Sequence, residues 1–130
     1  MTDTPSDQRF EPCDVLVVDD DFALSEAITQ LLIRSGLRVR KAHNAAAALS
    51  FAAFAPPKVA ILDYQLPDTN GVALAAELKA ENPGLHIILM SANNVAIDRP
   101  TLERAGIKVF VNKPMPPGPL RQAVLRLLQT

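Results

Sequence analysis

One stretch decides the fold: Val15-Leu16-Val17-Val18-Asp19-Asp20, an uninterrupted apolar run that ends in two adjacent carboxylates. Four apolar residues in a row, most of them β-branched, predict a strand that is buried on both faces, as strands of parallel sheets are. An open parallel sheet keeps its ligand crevice at the carboxyl ends of its strands, which is where Asp19 and Asp20 would lie. Taken alone, the pair also suits a solvated turn that opens the next helix.

Later segments repeat this form and extend the prediction to a whole sheet. Apolar runs at residues 59–62, 87–90 and 109–111 are followed by polar side chains, namely Asp63, Ser91 and Lys113. A strand at residues 37–40 alternates apolar with basic residues, as an edge strand does. Helical spacing predicts the connecting helices at residues 21–35, 45–54, 72–80, 101–105 and 120–128. Five strands alternating with five helices imply an α/β fold, a parallel sheet with helices on both faces.

The composition describes an ordinary globular domain of 130 residues with 48% hydrophobic content. A formal net charge of -1 offers no basic surface for nucleic acid, and no apolar run is long enough to span a membrane. The single cysteine, Cys13, excludes an internal disulfide framework. Residues 1–12 are polar and lack the apolar core of a signal peptide, so we expect a mobile leader, a domain at residues 13–130 and a cytoplasmic location.

The polar residues at the strand ends form a coherent chemical set. Because the carboxyl ends of parallel strands share one edge, we expect three carboxylates, a hydroxyl and an ammonium to converge there: Asp19, Asp20, Asp63, Ser91 and Lys113. Carboxylate oxygens suit Mg²⁺, an aspartate can accept a phosphoryl group, and lysine binds phosphate oxygens as a point charge. Individually, these residues also suit loop acids, a helix cap or a surface lysine. Together they predict phosphoryl chemistry.

These pieces resemble the receiver domain of two-component response regulators over residues 13–129. The resemblance rests on Leu16-Val17-Val18-Asp19-Asp20-Asp21, Leu62-Asp63-Tyr64-Gln65-Leu66-Pro67 with Gly71, Met90-Ser91-Ala92, and Phe110-Val111-Asn112-Lys113-Pro114. It implies a flavodoxin-like (βα)5 fold, a doubly wound five-stranded parallel sheet. It also implies a signalling receiver without enzymatic turnover of a separate substrate, one that catalyses only its own phosphorylation and dephosphorylation.

By this resemblance, Asp63 accepts a phosphoryl group from phosphohistidine. The residues that hold Mg²⁺ are then Asp19, Asp20, Asp63 and the backbone carbonyl of Gln65. Ser91 and Lys113 contact the phosphoryl oxygens, and Phe110 is the aromatic that turns inward with Ser91. The residue types alone leave Phe110 as an ordinary core aromatic and Asp21 as a first-turn helix acid. Gln65 and Asn93 flank the phosphoryl site, where side chains can guide or exclude the attacking water.

Two surfaces carry further expectations. On the first helix, Phe22, Glu26, Thr29 and Ile33 recur on the side away from its predicted core residues. We expect a histidine kinase or histidine phosphotransfer protein to dock near Phe22 and Met115, although Phe22 could simply pack over the helix start. Pro100 should shorten the fourth helix, and the proline-rich residues 115–119 should delay the fifth. Both changes fall on the face formed by the fourth helix, the fifth strand and the fifth helix. Because members of the family commonly dimerise through that face, we expect a monomer or a different contact.

Several functions remain open at this point. A receiver of this length could act alone, since little chain follows the last predicted helix, or it could be a piece of a larger regulator or of a hybrid histidine kinase. A haloacid-dehalogenase-type phosphatase also uses an aspartyl phosphate and Mg²⁺, but it needs a second aspartate where Gln65 stands. A flavodoxin-like flavin binder would need a Ser/Thr/Gly-rich phosphate loop in place of the aspartates after the first strand. The sequence names no downstream target.

Overall fold

A computed structural model describes residues 13–92, 96–113 and 115–130. The predicted leader at residues 1–12 and Asn93 lie outside this part of the chain. Cys13 is buried beside the first strand, and burial raises the pKa of its thiol above the ordinary value. None of the helices in the described ranges is long and apolar enough to cross a membrane.

The centre of the molecule is a five-stranded sheet in which every pairing is parallel. Its strands, in chain order, are β1 (Val15–Val18), β2 (Val39–Ala42), β3 (Val59–Asp63), β4 (His86–Ser91) and β5 (Val109–Asn112). Their order across the sheet is β2-β1-β3-β4-β5, so β2 lies at an edge as predicted. The α/β prediction is therefore confirmed, including the buried character of β1, β3 and β4.

The bounds of β2 differ from the prediction of residues 37–40. Leu37 still belongs to the exit of the first helix, because its N–H donates to the carbonyl of Leu32 and Gly36 turns the chain at a φ of 88°. The parallel register then pairs Val39 with Val15 and brings Ala42 opposite Val18. Tertiary pairing and helix capping thus move the strand two residues further along the chain.

The helices cover both faces of the sheet. In chain order they are α1 (Phe22–Arg34), α2 (Ala45–Phe54), α3 (Gly71–Glu81), α4 (Arg99–Arg104) and α5 (Pro117–Leu128). Helices α1 and α5 pack on one apolar cluster, which contains Val17, Ile61 and Met90 from the sheet. Helices α2 and α3, with the partly buried Leu102 of α4, pack on the opposite cluster. This two-sided arrangement leaves the carboxyl ends of the strands as one continuous edge.

The prediction for the outer side of α1 is wrong at Thr29. The buried residues of α1 are Ser25, Ile28, Thr29 and Leu32, because the helix packs against β2 as well as β1. The other three residues assigned to the outer side are exposed: Phe22, Glu26 and Ile33. Phe22 has 69% of its surface accessible.

The expected delay of α5 is also wrong. The helix begins at Pro117 rather than near residue 120, with Pro116 as its N-cap. Its prolines occupy the first turn, where backbone N–H groups have no partner within the helix and the fixed φ of proline suits the helix. Helix α4 is short as expected, since it spans six residues from Arg99 with Pro100 in its first turn.

Candidate functional site

Three carboxylates converge at the carboxyl edge of the sheet. Asp19 follows β1 and is fully buried, Asp63 is the last residue of β3 and is 6% exposed, and Asp20 is exposed. One carboxylate oxygen from each lies within 4.8 Å of the other two. Asp21 is instead the N-cap of α1, where its side chain accepts a hydrogen bond from the N–H of Leu24 at 3.0 Å. The structure thus brings together the carboxylates that the sequence had grouped and separates Asp21 from them.

Lys113 joins two of these carboxylates. Its Nζ lies 3.0 Å from Asp19 Oδ2 and 3.2 Å from Asp63 Oδ1. The backbone fixes the base of this side chain, because the N–H of Lys113 donates to the carbonyl of Ser91 at 2.7 Å. The other oxygen of Asp19, Oδ1, accepts the N–H of Asp21 at 2.9 Å. Both oxygens of the buried Asp19 therefore have partners, which offsets the cost of burying its charge.

The charges in this pocket shift the pKa of two of its groups. Burial raises the pKa of Asp63 above its ordinary value, and the nearby charge of Asp19 raises it further, although Lys113 and a backbone hydrogen bond from Gln65 act in the opposite direction. Burial lowers the pKa of Lys113, but hydrogen bonds and charges from Asp19 and Asp63 outweigh it and leave that pKa above its usual value. The pocket holds more negative charge than one ammonium compensates, and a divalent cation would remove the excess.

Ser91 and Phe110 belong to β4 and β5, the strands that lie beyond β3 in the sheet. Ser91 ends β4 and is fully buried, and its Oγ has no hydrogen-bond partner within residues 13–92, 96–113 and 115–130. Phe110 lies in β5 opposite Leu89 and is half-buried against the core on the α2–α3 side. It also lines an open cleft of about 630 Å³ beside the short helix α4. Such a hydroxyl can donate a hydrogen bond to the oxygen of a ligand bound at this edge.

The loop from β3 to α3 forms a small hairpin over residues 65–70. Gln65 faces Asn70 in an antiparallel bridge, and the flanking hydrogen bonds run from Leu66 N to the Thr69 carbonyl and from Gly71 N to the Tyr64 carbonyl. This pattern makes Gln65 and Asn70 a non-hydrogen-bonded pair, so the backbone groups of Gln65 point away from the hairpin.

Gly71 is required where the hairpin returns to the helix. A Cβ added there would lie 2.5 Å from the carbonyl oxygen of Asp63 and 2.6 Å from a methyl carbon of Leu89. The backbone of α3 can approach the end of β3 this closely only because residue 71 has no side chain. Gly71 therefore fixes the position of the residue that ends β3.

Sequence reasoning missed two residues near the pocket, His43 and Asp68. His43 Nδ1 lies 2.9 Å from the carbonyl oxygen of Asp19, and its ring lies 4.0 Å from the ring of Phe22 between centroids. Asp68 accepts hydrogen bonds from the first two N–H groups of α2. The position of His43 directly after β2 was a usable signal, because β2 neighbours β1. Asp68 gave none, since its partners are 22 and 23 residues away in sequence.

The donor set of this edge fits a hard divalent cation. Three carboxylates offer oxygens at close range, and Mg²⁺ is bound in proteins through a few carboxylates together with water and phosphate oxygens. Next to them lie the Lys113 ammonium and the Ser91 hydroxyl, which has no partner in the residues that the structure describes. Both groups can contact the oxygens of a phosphoryl group. The arrangement can therefore bind a cation and a phosphoryl group side by side.

Residues 15–125 match the model of the response regulator receiver domain. The chain belongs to that family. Among curated relatives, it is 35% identical to the probable transcriptional regulatory protein TcrX of Mycobacterium tuberculosis, over 90% of this chain and 49% of that protein. It is 34% identical to the DNA-binding transcriptional regulator NtrC of Azospirillum brasilense, over 89% of this chain and 24% of that protein.

Solved receiver domains have the same fold. A CheY-like receiver domain protein from Methanospirillum hungatei superposes with a TM-score of 0.85 at 25% identity, covering 92% of this chain and 95% of that one. The receiver domain of NtrX from Brucella abortus gives 0.80 at 29% identity, covering 90% and 99%. The flavodoxin-like fold and the membership in two-component signal transduction are thereby confirmed.

A receiver domain is a signalling module, and receivers of two-component systems work with histidine kinases. This chain spans about half the length of its TcrX relative and about a quarter of its NtrC relative. The latter is named as a DNA-binding regulator. The expectation of no nucleic-acid partner therefore concerns residues 1–130 and does not extend to a longer protein.

Proposed function

We propose that this receiver accepts a phosphoryl group on Asp63 from a phosphohistidine, in a reaction that depends on Mg²⁺. The supporting observation is the buried pair Asp19 and Asp63, which shares Lys113 and lies within reach of Asp20. A carboxylate oxygen of Asp63 attacks the phosphorus, the bond from phosphorus to the histidine nitrogen breaks, and that nitrogen keeps the electron pair.

Each neighbouring residue has a defined part in this proposal. Asp19 and Asp20, together with Asp63 and the backbone carbonyl of Gln65, would hold Mg²⁺, which neutralises charge on the phosphoryl oxygens. The Lys113 ammonium contacts Asp63 Oδ1 at 3.2 Å. After transfer it would bind a phosphoryl oxygen instead, because that oxygen is also negatively charged. Transfer then depends on alignment and charge neutralisation.

Ser91 and Phe110 form the switch in this proposal. The Ser91 hydroxyl is buried and has no hydrogen-bond partner among the described residues, so a phosphoryl oxygen on Asp63 would give it an acceptor. Movement of β4 towards the phosphoryl group opens space beside β5, and Phe110 turns into it. The half-buried position of Phe110, next to a cleft of about 630 Å³, leaves the ring able to move.

The phosphohistidine partner docks near Phe22 and Met115. Phe22 is exposed beside the acidic edge, and Met115 is partly buried against the α1–α5 core. A phosphohistidine-bearing helix placed over both residues would reach Asp63 across Asp20. In this proposal residues 13–130 form the receiver unit, residues 1–12 precede it as a leader, and the domain works in the cytoplasm, alone or within a longer regulator.

The central test is incubation with acetyl phosphate and Mg²⁺, followed by intact-protein mass spectrometry. Wild type should gain the mass of one phosphoryl group, and Asp63→Asn should gain none. Asp21→Asn is the matched control, because Asp21 lies next in sequence to the pocket but caps α1 instead. A phosphoryl adduct that persists in Asp63→Asn would refute the assignment.

Docking has its own test, with phosphotransfer from a partner kinase as the readout. Phe22→Ala should slow transfer from the kinase and leave phosphorylation by acetyl phosphate unchanged, because the small donor needs no protein surface. Ile33→Ala is the control, since Ile33 is also exposed on α1 but lies three turns from the pocket. Equal transfer rates for wild type and Phe22→Ala would exclude the docking role.

A further inference from the structure

The turn that leads from β2 into α2, defined as residues 43–46 and so including the first two residues of the helix, lies between two loops of the acidic pocket. On one side His43 contacts the backbone carbonyl of Asp19 at 2.9 Å and the ring of Phe22. On the other side the N–H groups of Ala45 and Ala46 donate to Asp68. The turn therefore connects the loop that carries the cation carboxylates to the loop that follows the phosphoacceptor.

Asp68 engages the turn through both of its carboxylate oxygens. Oδ1 accepts from the Ala45 N–H at 2.9 Å, and Oδ2 accepts from the Ala46 N–H at 3.0 Å. These two hydrogen bonds lower the pKa of Asp68 below its ordinary value. Helix α2 already has its own N-cap, because Asn44 accepts the N–H of Ala47 at 2.7 Å. The contact thus adds to an ordinary cap and ties a distant loop to the start of α2.

Asp68 lies at the tip of the hairpin formed by residues 65–70. The hairpin is short, and two backbone hydrogen bonds hold its strands together, at 3.1 Å from Leu66 to Thr69 and at 2.7 Å from Gly71 to Tyr64. Its base carries Gln65, which lies two residues after Asp63 and whose backbone N–H acts to lower the pKa of that carboxyl. Because the hairpin is tied at both ends, the position of its tip constrains the position of Gln65.

We propose that Asp68 is a positioning residue, which holds the hairpin so that the backbone of Gln65 faces the cation pocket. Through Gln65 it sets the affinity of the pocket for a divalent cation, although Asp68 itself contacts neither the cation nor the phosphoryl group. This inference rests on the proposed function, since it assigns a role to a residue that serves the same site. Its evidence is separate from that for the proposed function, because it is the contact of Asp68 with the start of α2.

The chain offers a direct optical readout of this pocket. Tyr64 is its only tyrosine, it contains no tryptophan, and Tyr64 follows Asp63 directly. Mg²⁺ titration by tyrosine fluorescence therefore reports from the site alone. The dependence of acetyl-phosphate labelling on Mg²⁺ concentration gives a second, independent midpoint.

The test compares Asp68→Ala with Asp98→Ala. Asp98, like Asp68, is an exposed aspartate that accepts a backbone N–H from the first turn of a helix, in its case from Thr101 at 2.9 Å. Unlike the hairpin, α4 carries none of the proposed cation ligands. We expect Asp68→Ala to raise the Mg²⁺ dissociation constant about tenfold, the lower end of the effect of residues that orient metal ligands. Asp98→Ala should stay within about twofold of wild type on the same scale. Thermal stability should fall to a similar extent in both variants.

Each outcome decides something. If Asp68→Ala is folded by circular dichroism and binds Mg²⁺ as wild type does, the positioning role is wrong. If that variant unfolds, Asp68→Asn decides instead, because one amide oxygen restores one of the two hydrogen bonds and should give an intermediate dissociation constant. A wild-type protein that neither binds Mg²⁺ nor accepts a phosphoryl group would refute the proposed function itself. Normal wild-type behaviour with an unaffected Asp68→Ala would refute only this inference.

Discussion

On the β1–β2–β3 side of the acidic pocket, hydrogen bonds tie the loops to one another, whereas on the β4–β5 side a buried hydroxyl and a half-buried ring lack such ties. His43 and Asp68 tie the first side together through hydrogen bonds of 2.9 to 3.0 Å, and Gly71 lets α3 approach the end of β3 closely. Ser91 Oγ has no partner among the described residues, and Phe110 borders an open cleft. In the proposed function, the first side holds the ligands in place and the second responds to them.

The largest effect should come from adding a side chain at Gly71, where α3 approaches the end of β3 on the β1–β2–β3 side. Gly71→Ala places a Cβ against the Asp63 carbonyl oxygen and should lower the free energy of unfolding by about 3 kcal/mol. Gly118→Ala is the control, because a Cβ there meets no atom of the described residues within 4 Å. Urea unfolding measures both, and a Gly71→Ala variant as stable as wild type would mean that the two sides are equally adaptable.

The next effect concerns the Lys113 ammonium, which follows β5 and contacts the carboxylates of Asp19 and Asp63. Lys113→Met leaves the buried carboxylate of Asp19 without its ion pair, so the free energy of unfolding should fall by about 2 kcal/mol without Mg²⁺. Added Mg²⁺ should restore part of that loss. In Lys41→Met, which breaks an exposed ion pair with Glu26, we expect a change below about 0.5 kcal/mol. Equal losses in the two variants would contradict the buried role of Lys113.

Asp63→Asn should raise the free energy of unfolding of the metal-free protein at pH 7. The pKa of Asp63 is raised in the folded state by burial and by Asp19, so its ionised form opposes folding. Such a group contributes stability fully below its unfolded pKa, and that contribution is lost as the pH rises through the folded pKa. The gain from Asp63→Asn should therefore shrink as the pH falls towards the ordinary aspartate value, 3.8. Urea unfolding in EDTA at pH 7 and pH 4 checks the sign.

The smallest change in stability is expected at Ser91, on the β4–β5 side of the pocket. Ser91→Ala removes a hydroxyl that has no partner in the described part of the chain, so the free energy of unfolding should change by less than about 0.5 kcal/mol. The acyl phosphate should still form on Asp63, but phosphorylation should no longer alter the environment of Phe110. Nuclear magnetic resonance of selectively labelled phenylalanine detects that difference. A normal Phe110 response in Ser91→Ala would remove Ser91 from the switch.

The strand ends were predictable from sequence because apolar runs locate buried strands, and parallel strands bring their carboxyl ends to one edge. Asp19, Asp63 and Lys113 were grouped correctly on that basis. The contact of Asp68 with α2 was not predictable, since it depends on how two loops pack and carries no periodic signal. Thr29 was misassigned for a related reason: apolar spacing on α1 says nothing about the extra burial that β2 imposes.

The ion pair between Lys113 and Asp19 joins residues that are 94 positions apart in the chain. A ribosome completes the first strand and Asp63 long before it adds the lysine, and synthesis proceeds at about 5–20 residues per second. A nascent chain that has not reached residue 113 therefore has its buried carboxylates but lacks the ammonium that contacts them. The proposed phosphoryl site is thus assembled only after β5 has been made and has joined the sheet.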